Sequence, residues 1–314
     1  MRKLFFIFLF IQSLVFAQVT DNFEDGDISD WTESTAGRWE ASAASPISGT
    51  YSLKHTFNNT VGDKDRISLV LPELNPALGP VTWRFQVRYG YDPTSSNKWS
   101  VFLMANNDAS EMIAGGNISG YAIGVNFNSS ASDDFVKIWR VTNGALSAII
   151  NTNYNWQTQV GKTQAAGFEV IRDVSGNWTI KIDADGGFDN LTVIGSGLNN
   201  EFVYDDYFGI YYEYIASADT LLWFDDLSIS YTAVDADTDV TDPITQTPSA
   251  TISSLTDSVS EAVEVFKFKI TDGATADTYP TNLKKIRIKN ANPADNADWT
   301  DHVGGLVIKV NTDT

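Results

Sequence analysis

Between Asp21 and Tyr231 apolar and polar residues alternate in short runs, each closed by a polar turn, and no run of helical period competes with them. The segments 81–91 (VTWRFQVRYGY), 98–106, 121–128, 134–142, 167–174, 177–184, 207–216 and 221–231 each predict a strand. Asn143-Gly144 and Ser175-Gly176-Asn177 supply hairpin turns. So many short strands in one block predict an all-β fold, a two-sheet jelly-roll sandwich in preference to two small sandwiches. The last segment, LLWFDDLSISY, carries two acids in an apolar strand. Strict alternation puts Trp223, Asp225, Leu227, Ile229 and Tyr231 on one face and Asp226, Ser228 and Ser230 on the other. Asp226 then points to water. Asp225 falls in the apolar row, where a carboxylate needs backbone donors, a cation or a metal ion.

The pattern stops at 233–250 (AVDADTDVTDPITQTPSA), an acidic, Thr-rich stretch with two prolines that reads as a linker. A small β-rich module is expected over 251–314, with alternation in EVFKFKITDG, LKKIRIKN and GLVIKVN. It is short for an independent β-domain without cysteines, so the chain reads as part of a longer protein. At the other end, Arg2 and Lys3 precede an apolar run from Leu4 to Phe16 and the small exit residue Ala17. This predicts a signal peptide over 1–17, export, and no spanning helix once it is removed. The sandwich is assigned to 20–232.

Composition narrows the function. No cysteine occurs, which excludes disulfides, zinc–thiolate sites and a thiol nucleophile. Losing Arg2 and Lys3 with the leader takes the formal charge from −19 to −21, a surface that repels nucleic acid.

Residues 21–32 (DNFEDGDISDWT), 38–55 (RWEASAASPISGTYSLKH), 176–190 (GNWTIKIDADGGFDN) and the closing LWFDDLSISY resemble the concanavalin A-like, laminin-G-like jelly-roll modules of secreted bacterial proteins. The chain as a whole resembles the N-terminal part of large surface proteins of gliding, Bacteroidetes-type bacteria. The resemblance implies a structural calcium held by acids of the first and last strands, which here match Glu24, Asp25, Asp27 and Asp225. Calcium takes about six to eight oxygen ligands, and the turn at Gly26 can present carbonyls. The alternative is a polar turn at Asp25-Gly26-Asp27 and an Asp225 held by backbone donors.

Catalytic motifs are missing. His55 and His302 lie in different modules, and no G-x-S-x-G, P-loop or H-E-x-x-H occurs. No strand has the alternating acids of a jelly-roll glycosidase. Asp183-Ala184-Asp185-Gly186-Gly187 reads as a hairpin tip, and the linker acids Asp235, Asp237, Asp239 and Asp242 as a solvated spacer. One constellation suggests binding. The polar faces of three strands offer Arg84 and Arg88, Asn126, and Tyr211, and planar donors with aromatic rings suit sugars. An ordinary solvated sheet face is the competing account. The expectation is a non-catalytic module of a secreted or cell-surface protein that binds glycan or an extracellular matrix polymer. The alternatives are the accessory part of a hydrolase, lyase or nuclease whose catalytic domain follows residue 314, or a structural spacer.

Overall fold

The computed structural model describes residues 14–71, 74–77, 79–128, 133–203, 206–234, 238–241 and 268–272. In chain order the strands are β1 (Leu14–Asp21), β2 (Trp31–Glu33), β3 (Trp39–Ser42), β4 (Ser52–His55), β5 (Asp63–Val70) and β6 (Val81–Tyr89). Next come β7 (Lys98–Ala105), β8 (Gly120–Val125), β9 (Phe135–Thr142), β10 (Ala145–Asn155), β11 (Ala165–Arg172) and β12 (Asn177–Asp183). They are followed by β13 (Thr192–Leu198), β14 (Tyr207–Tyr214), β15 (Leu222–Val234), β16 (Thr238–Thr241) and β17 (Lys269–Asp272). Among the described residues the single helical turn is α1 (Trp156–Gln159), capped by the Asn155 side chain. No helix there is long and apolar enough to cross a membrane.

The larger of two compact units, Val15–Ala233, is a two-sheet antiparallel β-sandwich, the jelly-roll class the alternation predicts. One sheet runs β13-β12-β11-β6-β15-β4-β3, with β1 also on β15, and the other β10-β9-β8-β7-β14-β5-β2. In the other unit β16 pairs with β17, so Thr238–Thr241, inside the stretch expected as a linker, is a strand. The expected leader lies outside the described residues except for Leu14–Ala17, which open β1. Most of the expected module at 251–314 also lies outside them.

The core is aromatic. Val81, Trp83, Phe85, Val87 and Tyr89 of β6 are buried, and Phe85 stacks between Phe168 and Phe224 at 5.4 Å from each. Phe208 and Trp99 meet this layer from the opposite sheet. Full burial of such side chains stabilises by roughly 1.5–3 kcal/mol each, which lets the sandwich stand without disulfides. His55, at the end of β4, ties the sheets together. Its Nε2 lies 2.8 Å from Asp65 Oδ2 of β5, Tyr214 donates to the same oxygen at 2.5 Å, and Nδ1 meets the Asp219 carbonyl. Burial would raise the Asp65 carboxyl, but the hydrogen bonds from His55 and Tyr214 outweigh it and hold the group below its ordinary value.

The face assignment of the last strand is corrected by the structure. Directly opposed residues share a face, and β15 sets Trp223 against Arg88, Phe224 against Val87 and Asp225 against Gln86. Trp223 and Asp225 therefore lie on the outer face and Phe224 on the core face. A register shift between Asp225 and Ser228 then returns Leu227, Ile229 and Tyr231 to the core. Asp226 is the cause. It sits at φ 48° as the left-handed first residue of a β-bulge, a conformation that Asp and Asn tolerate better than other side chains. The two acids are thus the bulge itself. Asp226→Asn is expected to unfold in urea within about 0.5 kcal/mol of wild type, whereas Asp226→Val, β-branched in the left-handed region, should lose about 2 kcal/mol or more. Equal losses would show that the bulge does not select the residue.

Candidate functional site

Asp225 is fully buried although it lies on the outer face, because the segment from Ala44 to Ser52 folds over it. Its Oδ2 accepts from Ser48 N at 3.1 Å, Ser48 Oγ at 3.2 Å and Ser52 Oγ at 2.7 Å, and its Oδ1 from Asp226 N at 2.8 Å. From the other side Glu24 Oε1 accepts the Thr50 and Tyr51 N–H groups at 2.7 and 3.0 Å. Gly49, at φ 54°, permits this approach, since a Cβ there would fall 2.2 Å from Glu24 Oε1. Trp223 Nε1 donates to the Ala44 carbonyl, and Arg88 donates to the Ser45 and Pro46 carbonyls while lying 4.2 Å over the Trp223 ring. Two carboxylates, a guanidinium and an indole thereby hold one loop.

This loop is one wall of an open recess of about 360 Å³ on the outer face of the β6 sheet. Ile47 and Ser48 form that wall, Gln86 and Arg88 the floor, and Thr163–Ala165 with the Asp185–Gly187 turn the opposite side. Gln86 locks the parts together by donating to Asp226 Oδ2 at 2.6 Å and accepting from Gly187 N at 2.8 Å. Beneath the turn, Gly167 of β11 is obligatory, because a Cβ there would meet the Gly187 carbonyl at 1.6 Å. The walls are set by hydrogen bonds from the interior of the protein, so the recess is preformed.

The structure divides the ligand residues predicted from sequence between the two sheets. Arg88 lines the recess. Arg84, four residues back on the same face of β6, is paired with Glu169, which also takes Lys181 at 2.7 Å. Asn126, just past the end of β8, and Tyr211 of β14 lie with the other sheet and are buried. Asn126 exchanges hydrogen bonds with Asp134, and Tyr211 packs on Phe127 and donates to Glu213 at 2.5 Å. The four predicted metal ligands are not brought to one centre. Asp225 and Glu24 are engaged by protein donors on opposite sides of the 44–52 loop. Asp25 and Asp27 line a second recess, of about 340 Å³, with Asp21 and Asp30. Among the described residues no group of three or more His, Asp or Glu side chains is arranged to hold a metal ion. Gln86 shares the polar face of β6 with Arg84 and Arg88, whereas Ser48 and Asp185 escaped the sequence analysis as site residues. The one local signal for them was the Asp-Gly-Gly turn, which reads as an ordinary hairpin tip until Gln86 is seen to reach it.

The structure is an all-β sandwich with an open polar recess on the outer face of one sheet. No family model matches the chain, and no curated protein does. Solved structures similar to it include the exoplasmic/lumenal domain of VIP36 in its Ca2+/Man3GlcNAc-bound form, at 12% identity, 69% of this chain, 88% of that one and a TM-score of 0.47. The globular domain of T. cruzi calreticulin is similar at 13% identity, 67% and 87% coverage and a TM-score of 0.48. A lectin from Bauhinia forficata in complex with GalNAc follows at 12% identity, 70% and 99% coverage and 0.45. The calcium and glycans in these descriptions belong to those proteins.

Burial pushes the Asp225 carboxyl from 3.8 up to about 6, against the hydrogen bonds from Ser52, Asp226 and Ser48 that favour its ionised form. The sign of the pH dependence follows. An acid whose pKa is raised on folding is protonated in the native state first, so its contribution to stability is greatest below about pH 4 and declines as pH rises to about 6. The full span is at most roughly 3 kcal/mol, at about 1.4 kcal/mol per pH unit. Asp225→Asn should remove that slope, so the stability difference between wild type and variant should change between pH 4 and 6 and stay level above. Parallel curves in urea titrations would show that Asp225 does not titrate there. Because protein donors already occupy the carboxylate, excess chelator and millimolar calcium should give wild type the same melting temperature. A rise of several degrees with calcium, lost in Asp225→Asn, would place an ion at the clamp.

Proposed function

We propose that the sandwich is a non-catalytic glycan-binding module of an exported protein, with the recess over Gln86 and Arg88 as its binding site. The observation that carries this reading is the chemistry of the lining. It is polar, held rigid from behind, and contains one carboxylate, Asp185, among its residues. Hydrolysis of a glycosidic bond by the common mechanisms takes a pair of carboxylates flanking that bond. Asp226 does not supply the second, since its Oδ2 is taken by Gln86 and Ser48. A rigid recess with hydroxyl and amide groups fits recognition of a hydroxyl-rich ligand without cleavage. The leader-like segment 1–17 supports export. The resemblance to modules of bacterial surface proteins supports a role in attachment to glycan or matrix.

The test is a glycan array followed by calorimetry on each hit, with a reducing-end assay on the same mixtures. Wild type should bind at least one polysaccharide and release no reducing ends. Arg88→Ala, checked for a normal melting curve, should bind at least tenfold more weakly, while Arg84→Ala should bind as wild type. Release of reducing ends would make the protein a hydrolase, and a lack of any glycan binding would favour a spacer.

A further inference from the structure

The hydrogen-bond inventory of the recess points to the chemical class of its ligand; this inference rests on the glycan-binding reading. Several of the donors at the recess are committed to the protein. The Ser48 N–H and hydroxyl go to Asp225 and Asp226, the Gln86 amide donates to Asp226, and the Gly187 N–H goes to Gln86. The N–H of Gly186 goes to the Asp183 carbonyl and that of Asp185 to the Asp183 carboxylate. Arg88, the one cation in the lining, gives one N–H of each terminal nitrogen to the Pro46 and Ser45 carbonyls. The acceptors are in a different state. The Asp185 carboxylate is exposed at the rim and accepts no hydrogen bond among the described residues. Thr163 and Gln164, also exposed, add groups that accept as readily as they donate.

An exposed carboxylate that receives no hydrogen bond from the protein favours a ligand that donates. Sugar hydroxyls do so, whereas carboxylate and sulfate groups only accept. An anionic ligand would also face the Asp185 carboxylate in the lining and that of Asp226 bound behind Gln86 and Ser48, with one partly engaged guanidinium to offset them, and like charges at such a site are costly. Sulfated and uronate polymers are therefore disfavoured by both hydrogen bonding and charge.

We infer that the recess binds neutral polysaccharide, with hydroxyls of the sugar donating to the Asp185 carboxylate, and that it rejects uronate and sulfated polymers. The experiment is affinity electrophoresis of the full chain through gels containing laminarin, mannan, xylan, polygalacturonate or dextran sulfate. At least one of the three neutral polymers should retard wild type, and the two anionic ones should not. Asp185→Ala, an exposed rim change, should raise the dissociation constant for the retarding neutral polymer at least tenfold while leaving the melting curve unaltered. Asp185→Asn, which keeps an accepting oxygen but loses the charge, should fall between the two. Retardation by polygalacturonate or dextran sulfate alone would overturn the neutral class and leave glycan binding standing. Neutral binding indifferent to both Asp185 variants would overturn the role of that carboxylate. A protein retarded by none of the five would remove the glycan reading itself, and this inference with it.

Discussion

A carboxylate with no solvent contact organises this surface. Asp225 is buried on the outside of a sheet, which is possible because the 44–52 loop delivers a backbone N–H and two hydroxyls to it and the bulge adds the N–H of Asp226. Without those donors a buried carboxylate would cost several kcal/mol. The dependence is mutual. The loop has no strand ladder of its own and is held in place by Asp225, Glu24, Arg88 and Trp223. One wall of the recess therefore exists because the acid needs partners, and the acid is tolerated because the loop is there.

The same economy appears across the floor. Gln86 spends its amide nitrogen on Asp226 and its oxygen on Gly187, joining the bulge to the opposite turn. Gly167 lets that turn settle onto β11. Each contact rigidifies a wall and also uses a donor, so preorganisation and ligand class come from the same bonds. Rigid sites lose less entropy on binding, and a site with some of its donors consumed discriminates by what remains.

Aromatic packing anchors the frame. Phe85, Phe168 and Phe224 form the central stack, Trp83 lies 5.6 Å from Trp178, and His55 joins Asp65 and Tyr214 across the sheets. Beyond the sandwich, a second apolar cluster of Phe102, Phe127, Trp139 and Tyr211 covers the outer side of the other sheet, which is why Tyr211 is a packing residue there and not a free platform for sugar.

Strand identity was legible in the chain because a half-buried strand writes its two faces as a period of two, and the hairpins at Asn143-Gly144 and Gly176 announce themselves by residues that accept positive φ. The oddity of Asp225 was legible too, since charge in an apolar row requires a partner. Its partners were not, because Ser48 and Ser52 lie 177 and 173 positions away and are joined to it only when β15 settles between β6 and β4. The face of Asp225 was misjudged for a related reason. One residue at positive φ reverses every later side chain, and a period read along one strand cannot register a bulge that is defined by two strands opposing each other. Periodicity and composition thus determined the class of fold, while the pairing of distant strands decided which polar residues meet, which donors are consumed and where a ligand can still find an acceptor.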